Sequence, residues 1–203
     1  MQVFVPFDGQ EPKTRLADVL APEERRAFAQ AMLQDVLCAL RERDHEPTVL
    51  ATTPVDIDAP VRLDDRNLTP AVNAVLAENT PVAVVMADLP LVTASSLSQL
   101  FGADGDIVLA PGLGGGTNAL VARHSDFRVD YHGGSYRKHL TNAAACGASV
   151  TTVDSFRLGI DIDEPDDLGE VLLHSEGQTA RWLRAVGFEL GPGKRGLCAQ
   201  RTE

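Results

Sequence analysis

Residues Met1–Leu16 read MQVFVPFDGQEPKTRL, and the fold hangs on how this stretch is taken. Val3, Val5 and Phe7 alternate with their neighbours at the period of a β-strand, and Pro6 ends easy ladder pairing as the polar residues begin. Asp8, Gly9, Gln10, Glu11 and Pro12 are turn formers, after which Lys13 and Arg15 set two cations beside the hydroxyl of Thr14. A strand that runs into such a loop opens either an ordinary strand-to-helix connection with two solvated cations or a loop that meets phosphate. The rest of the chain has to choose.

Downstream, Phe28, Met32, Val36 and Leu40 recur at helical spacing in a segment with Pro22 at its start, which predicts one long amphipathic helix over Pro22–Arg43. Thr48–Thr52 is a short apolar strand. Strand, helix and strand in that order imply a right-handed crossover and a mostly parallel sheet. Asp56–Asp65 reads as a solvated acidic loop, with a short strand at Val61–Leu63 as the alternative. Thr69 is placed to cap a helix over Pro70–Glu78 that carries Asn73 near its start. The continuous apolar run VAVVMADLP after Pro81 predicts a strand buried on both faces that ends in Asp88 and Pro90. An Asp at the carboxyl end of such a strand stands where open α/β sheets place ligand chemistry, though it can equally cap a turn.

Further strands are expected at Asp106–Ala110, Asn118–Ala122 and Ser149–Val153, with a Thr93-capped helix over Ser95–Leu100. Between the first two strands, Gly112, Gly114, Gly115 and Gly116 precede Thr117, a pattern that suits an anion nest but lacks the Gly-Lys-Ser/Thr of a P-loop and the spacing of a dinucleotide fingerprint. In GGSYRKH, Ser135 sits at an N-cap position with Arg137, Lys138 and His139 in the first turn. Cations there oppose the helix dipole, so they either reach out to water or await an anion such as phosphate. In IDIDEPDDL, Ile160 and Ile162 face one side while Asp161 and Asp163 face the other, and their mutual repulsion is of the kind a hard cation such as Mg²⁺ relieves. Asp166 and Asp167 read as helix caps, and Trp182, in a last helix over Gln178–Val186, as core.

With 203 residues the chain is expected to form one domain over 1–187, followed by a mobile tail over 188–203. The formal net charge of -11 excludes a nucleic-acid-binding surface, which needs an excess of Lys and Arg to displace counterions. Lysine occurs only at Lys13, Lys138 and Lys194, and spread acidity of this kind resembles the composition of proteins from salt-loving archaea. A basic partner is the rival explanation of the charge. Cys38, Cys146 and Cys198 show neither disulfide nor zinc spacing, and no apolar run nears the roughly 20 residues of a membrane span, so a cytoplasmic protein with no membrane contact is expected.

Taken in order, PKTRL, VNAVL, MADLP, PGLGGGTNAL, GGSYRKH and DIDEPDDL resemble the 2-phospho-L-lactate guanylyltransferase family, which acts in assembly of the deazaflavin coenzyme F420. Each motif is weak alone, and the ordered set, spanning Val3 to about Leu173, is specific. The resemblance implies an α/β nucleotidyltransferase fold, GT-A-like and related to the Rossmann fold, with three α/β/α layers around a mixed, mostly parallel sheet. It implies GTP and a phosphorylated three-carbon acid as substrates, and a homodimer. Lys13, Thr14 and Arg15 would meet the triphosphate, with Asn73, Asp88 and Pro90 also on the nucleotide; Asp88, Asp161 and Asp163 would hold Mg²⁺; Thr117, Gly134 and Ser135 would grip the acceptor phosphate. Lys13, Arg15 and Asp88 would be the catalytic set. Members often carry a further Lys after the first strand, where this chain has Pro6, Phe7 and Asp8, and Val72 stands where many have Leu. Phosphoenolpyruvate is the competing acceptor, a sugar phosphate or molybdopterin enzyme of the same fold is the second reading, and a nucleotide-binding regulator without turnover is the third.

Overall fold

The opening strand forms as its alternation predicts, and β1 (Gln2–Phe7) takes a place inside the main sheet, between β2 (Thr48–Ala51) and β4 (Val82–Val85), parallel to both. The computed structural model of the chain describes residues 1–10, 12–193 and 196–202; Glu11 in the opening turn, and Lys194, Arg195 and Glu203 in the C-terminal segment, lie outside the described residues. Seven strands follow the order β3-β2-β1-β4-β6-β5-β7, with β3 at Val61–Leu63, β5 at Ile107–Pro111, β6 at Thr117–Ala122 and β7 at Val150–Thr152. Only β6 among them runs against its neighbours, β4 and β5, so the sheet is mixed and mostly parallel.

The two faces of the sheet bury different helices. Val3, Val5, Ala83 and Val85 pack towards α1 (Pro22–Arg41), α3 (Ala94–Gly102), α6 (Leu168–His174) and α7 (Gln178–Ala185), while Phe4, Val82 and Val84 pack towards α2 (Leu68–Glu78) and α4 (Ser135–Ala145). All four β4 residues are fully buried, which is why their run is apolar throughout. On α1, Phe28, Met32, Val36 and Leu40 are all buried, each contributing about 1.5–3 kcal/mol. Farther along α1, Asp35 accepts the Gln178 and Thr179 amides at 2.6 and 2.9 Å and so caps α7 from another element. Trp182 packs its ring 5.5 Å from that of Phe28.

Several boundaries move. The helix expected from Pro70 starts at Leu68 with Asn67 as its cap, because Pro70 at the third position gives up an amide that has no helical partner anyway. Thr69 instead accepts the Tyr131 amide at 2.9 Å. Ser135 is the first residue inside α4, and left-handed Gly134 (φ 64°) is the cap. Val61–Leu63, read chiefly as loop, is an edge strand: Val61 and Leu63 are exposed, so backbone pairing with β2 makes it and burial does not. In place of a tail over 188–203, β8 (Phe188–Gly193) and β9 (Gly196–Arg201) form a hairpin. Its Phe188 is buried in the core, and its Arg201 pairs with Glu24 of α1 at 2.5 Å.

Candidate functional site

From β1 the chain runs out through β2 to β3 and then returns to the other side of β1 as β4, so the connections diverge at β1. Open α/β sheets bind ligands in the crevice beyond the strand ends at such a point. A cleft of about 550 Å³ lies there, lined just past the strands by Phe7, Thr52, Met86 and Ala87 and by Lys13, Asp88 and Asp163.

Lys13 is the residue on which this cleft converges. Its backbone is left-handed (φ 55°, ψ 45°) and starts the 3₁₀ turn Thr14–Leu16, whose Leu16 is fully buried and anchors the loop. The ammonium lies 2.8 Å from Asp88 Oδ2 and 2.7 Å from Asp163 Oδ1. Burial alone would pull the Lys13 pKa down, and the charges and hydrogen bonds of Asp88 and Asp163 together outweigh it and raise it, so the group stays cationic. Arg15 stands outside, 3.6 Å from Asp163 and 3.9 Å from Glu164, and exposed. Thr14 is exposed beside it.

Asp163 reaches this position because α5 (Phe156–Gly159) ends in an extended segment that buries Ile160 and Ile162 and turns Asp161 and Asp163 outward. The Ile162 amide donates to Asp88 O at 3.1 Å, tying the two acidic segments together. Asp167 accepts the Asp163 and Glu164 amides, the capping role read for it. Asp161 takes the Asn118 amide at 3.1 Å; burial pushes its carboxyl pKa up, Asn118 works against that, and Asp88 and Asp163 push it higher still. Three carboxylates thus repel across a small volume, and Lys13 pairs with two of them, its one positive charge offsetting part of theirs.

On the far side of Asn118 lies the second cluster. Thr117 and Ser135 are both buried, and a Cβ on Gly116 would come 4.0 Å from Ser135 Oγ, which puts the glycine loop and the α4 start together. Of the three cations expected in the first turn of α4, Arg137 alone is exposed without an ion pair among the described residues. Lys138 pairs with Asp130 at 2.9 Å. His139 is fully buried, and burial lowers its pKa to about 4, so it is neutral. Its Nε2 accepts the Asp130 amide at 3.0 Å, which leaves Nδ1–H to donate to Thr117 Oγ1 at 2.9 Å.

The structure therefore brings Lys13, Arg15, Asp88, Asp161 and Asp163 into one constellation and Thr117, Gly134 and Ser135 into an adjoining one. It does not bring Asn73 or Pro90 to the cleft. Asn73 spends its amide on Val129, donating at 3.0 Å and accepting at 2.8 Å, and Pro90 is buried beyond the strand end. Asn118 and His139 were missed as site residues. Asn118 has a legible signal, a lone amide directly ahead of the apolar run 119–122 of β6, and Gly112 leaves room for it: a Cβ there would lie 2.6 Å from Asn118 Oδ1.

Comparison with known proteins agrees with this geometry. The family model for guanylyl transferase CofC-like proteins matches residues 1–201. A 2-phospho-L-lactate guanylyltransferase of Haloarcula marismortui is 58% identical over 195 residues, covering 94% of each chain, and one of Halomicrobium mukohataei is 60% identical over 191 residues with the same coverage. Among solved structures, a protein of Desulfovibrio desulfuricans G20 provisionally named a nucleotide-diphospho-sugar transferase superposes with a TM-score of 0.73 at 16% identity, covering 91% of this chain and 95% of that one. A nucleotidyl transferase from a Methanothermobacter species superposes at 0.59 with 13% identity, covering 91% and 99%. At such identities the structures establish the nucleotidyltransferase fold alone, and the sequence matches establish more: the chain belongs to the guanylyl transferase CofC-like family.

Proposed function

We propose that the chain is a Mg²⁺-dependent guanylyltransferase that joins GTP to 2-phospho-L-lactate, giving lactyl-2-diphospho-5'-guanosine and pyrophosphate in coenzyme F420 assembly. The observation that carries the reading is the Lys13 ammonium, bound between Asp88 and Asp163 in the cleft beyond the strand ends.

In this reading an oxygen of the acceptor phosphate attacks the α-phosphorus of GTP in line. The bond from that phosphorus to the bridging oxygen breaks, and the electron pair leaves with pyrophosphate. A phosphate monoester is mostly dianionic near neutral pH, so the attacking oxygen needs no base. Lys13 and Arg15 offset charge on the leaving pyrophosphate, and Thr117, Gly134 and Ser135 hold the acceptor phosphate at the start of α4, where the positive end of the helix dipole favours an anion. Catalysis is then positioning and electrostatics.

The donor chemistry fits Mg²⁺. That ion takes oxygen ligands and is commonly held by one or two carboxylates together with substrate phosphates. Asp88 and Asp163 would hold it, with Asp161 as the third carboxylate beside them. Among the described residues no group of three or more His, Cys, Asp or Glu side chains is placed to hold a metal by itself, which agrees with joint binding by protein and nucleotide. When bound, Mg²⁺ supplies Lewis-acid neutralisation of phosphate charge. The same reading takes the enzyme as a cytoplasmic homodimer working at high salt, supported by the resemblance, the acidic composition and the lack, among the described residues, of any helix long and apolar enough to cross a membrane.

The test is pyrophosphate release from GTP and Mg²⁺ at high salt with 2-phospho-L-lactate or phosphoenolpyruvate as acceptor. Release with 2-phospho-L-lactate is expected, and release with neither acid would remove the reading.

A further inference from the structure

The cleft is chemically uneven. Lys13, Asp88 and Asp163 stand beside the end of β4, whereas Asp64, Asp65 and Leu68 line it beyond β3, three strands away across the sheet. At about 4.8 Å per strand that is roughly 14 Å, a span that a nucleoside triphosphate covers. On the β3 side Leu50 of β2 and Leu68 and Ala71 of α2 line the cleft, apolar surface against which a planar base can lie.

Among the described residues five carboxylates line the cleft, and four of them are engaged. Asp8 accepts the Thr52 hydroxyl at 2.9 Å and the Gln10 amide at 3.1 Å. Asp64 takes Arg66 through Nε and Nη2 at 2.8 and 2.5 Å, folding that cation back. Asp88 and Asp163 hold Lys13. Asp65 has no hydrogen bond or ion pair among the described residues, although Arg66 is its neighbour in the chain. The Asp64 amide donates to Ala51 O at 2.9 Å, which ties this turn to the end of β2 and fixes where Asp65 starts from.

A carboxylate can only accept hydrogen bonds, and it accepts two at once. Guanine offers two adjacent donors, N1–H and the 2-amino group, on one edge; adenine places an acceptor at N1, which a carboxylate repels. We propose that the β3 side of the cleft is the base subsite and that Asp65 selects guanine, accepting N1–H and the 2-amino group through its two oxygens. The proposal rests on GTP being the donor nucleotide.

The experiment compares the wild-type chain with Asp65→Asn in pyrophosphate release from GTP, inosine triphosphate and xanthosine triphosphate, with circular dichroism as a check of folding. Wild type is expected to favour GTP over inosine triphosphate, which lacks the 2-amino group, by about tenfold or more. Asp65→Asn should lower kcat/KM for GTP by roughly 10- to 100-fold and raise it for xanthosine triphosphate, whose 2-oxo group accepts from the new amide. Unchanged nucleotide preference in a folded variant, or an equal loss with all three nucleotides, overturns the proposal. So does a wild-type chain that uses inosine triphosphate as well as GTP, a result that stands even where the variant fails to fold. Wild-type failure to turn over GTP at all would remove the guanylyltransferase reading itself, whereas GTP turnover with unaltered selectivity in the variant removes only the assignment of Asp65.

Discussion

Lys13 adopts a left-handed backbone conformation that costs a side-chain-bearing residue about 1–2 kcal/mol, and two ion pairs hold it there. Strain of this kind persists where the surroundings over-determine it, commonly at ligand sites. The Asp161 carboxyl is the opposite case, since its pKa is raised by burial and by Asp88 and Asp163 against the pull of Asn118. A carboxylate whose folded pKa exceeds its unfolded one destabilises the fold above that range, and the penalty fades as the pH falls through the folded value. Asp161→Asn, which can still accept from Asn118, should therefore leave the thermal midpoint at neutral pH equal or higher while turnover falls by roughly 100-fold. Unimpaired turnover would take Asp161 out of the site. His139 titrates in a separate window. Burial lowers its pKa from 6.5 to about 4, Asp130 opposing and Lys138 assisting, so the folded chain refuses a proton that the unfolded chain accepts. Stability is full above 6.5 and is lost as the pH falls from 6.5 to about 4, by at most roughly 3 kcal/mol. Denaturant titrations across that interval should give a shallower loss for His139→Gln than for wild type; parallel curves would contradict the neutral buried histidine.

Among the elements, legibility followed burial. β1, α1 and β4 announced themselves because their apolar residues face a core with the period of the element, and Thr93 caps α3 as read, accepting the Ser96 amide at 3.2 Å. β3 was legible only as the alternative to a loop, because the backbone of β2 makes it and both its apolar side chains face solvent. The hairpin was hidden by GPGKRG, a turn-rich string that reads as a loose end, while the residues anchoring it, Phe188 and Arg201, stand at its base. Gly169 on α6 faces the same hairpin, and a Cβ there would lie at ordinary contact distance, 3.4–3.5 Å, from the β9 backbone. Truncation after Gly187 removes Phe188 and the Glu24 pair together, which should cost about 3 kcal/mol or more and lower the thermal midpoint by roughly 6 °C or more. An unchanged midpoint would show that the hairpin is not part of the folded unit.

For the whole molecule, what the sequence revealed of the site was its charge pattern, and what it hid was the pairing. Lys13, Asp88 and Asp163 lie 75 and 150 residues apart, and nothing local says that one ammonium bridges both carboxylates. The basic run Arg137, Lys138 and His139 misled in the other direction, since Asp130 neutralises one member and the core absorbs another. Net charge of -11 on a chain of this size opposes compaction, so the thermal midpoint should climb as KCl is raised from about 0.1 to 1 M, where the Debye length shrinks from roughly 10 to 3 Å. A flat or falling midpoint would mean that the acidity is locally paired. The central claim is that the Lys13 constellation performs nucleotidyl transfer, and the most direct measurement is the rate of pyrophosphate release from GTP and 2-phospho-L-lactate by Lys13→Ala beside wild type. The account predicts a fall of roughly 100-fold or more with a folded protein; a variant that releases pyrophosphate at the wild-type rate would contradict it.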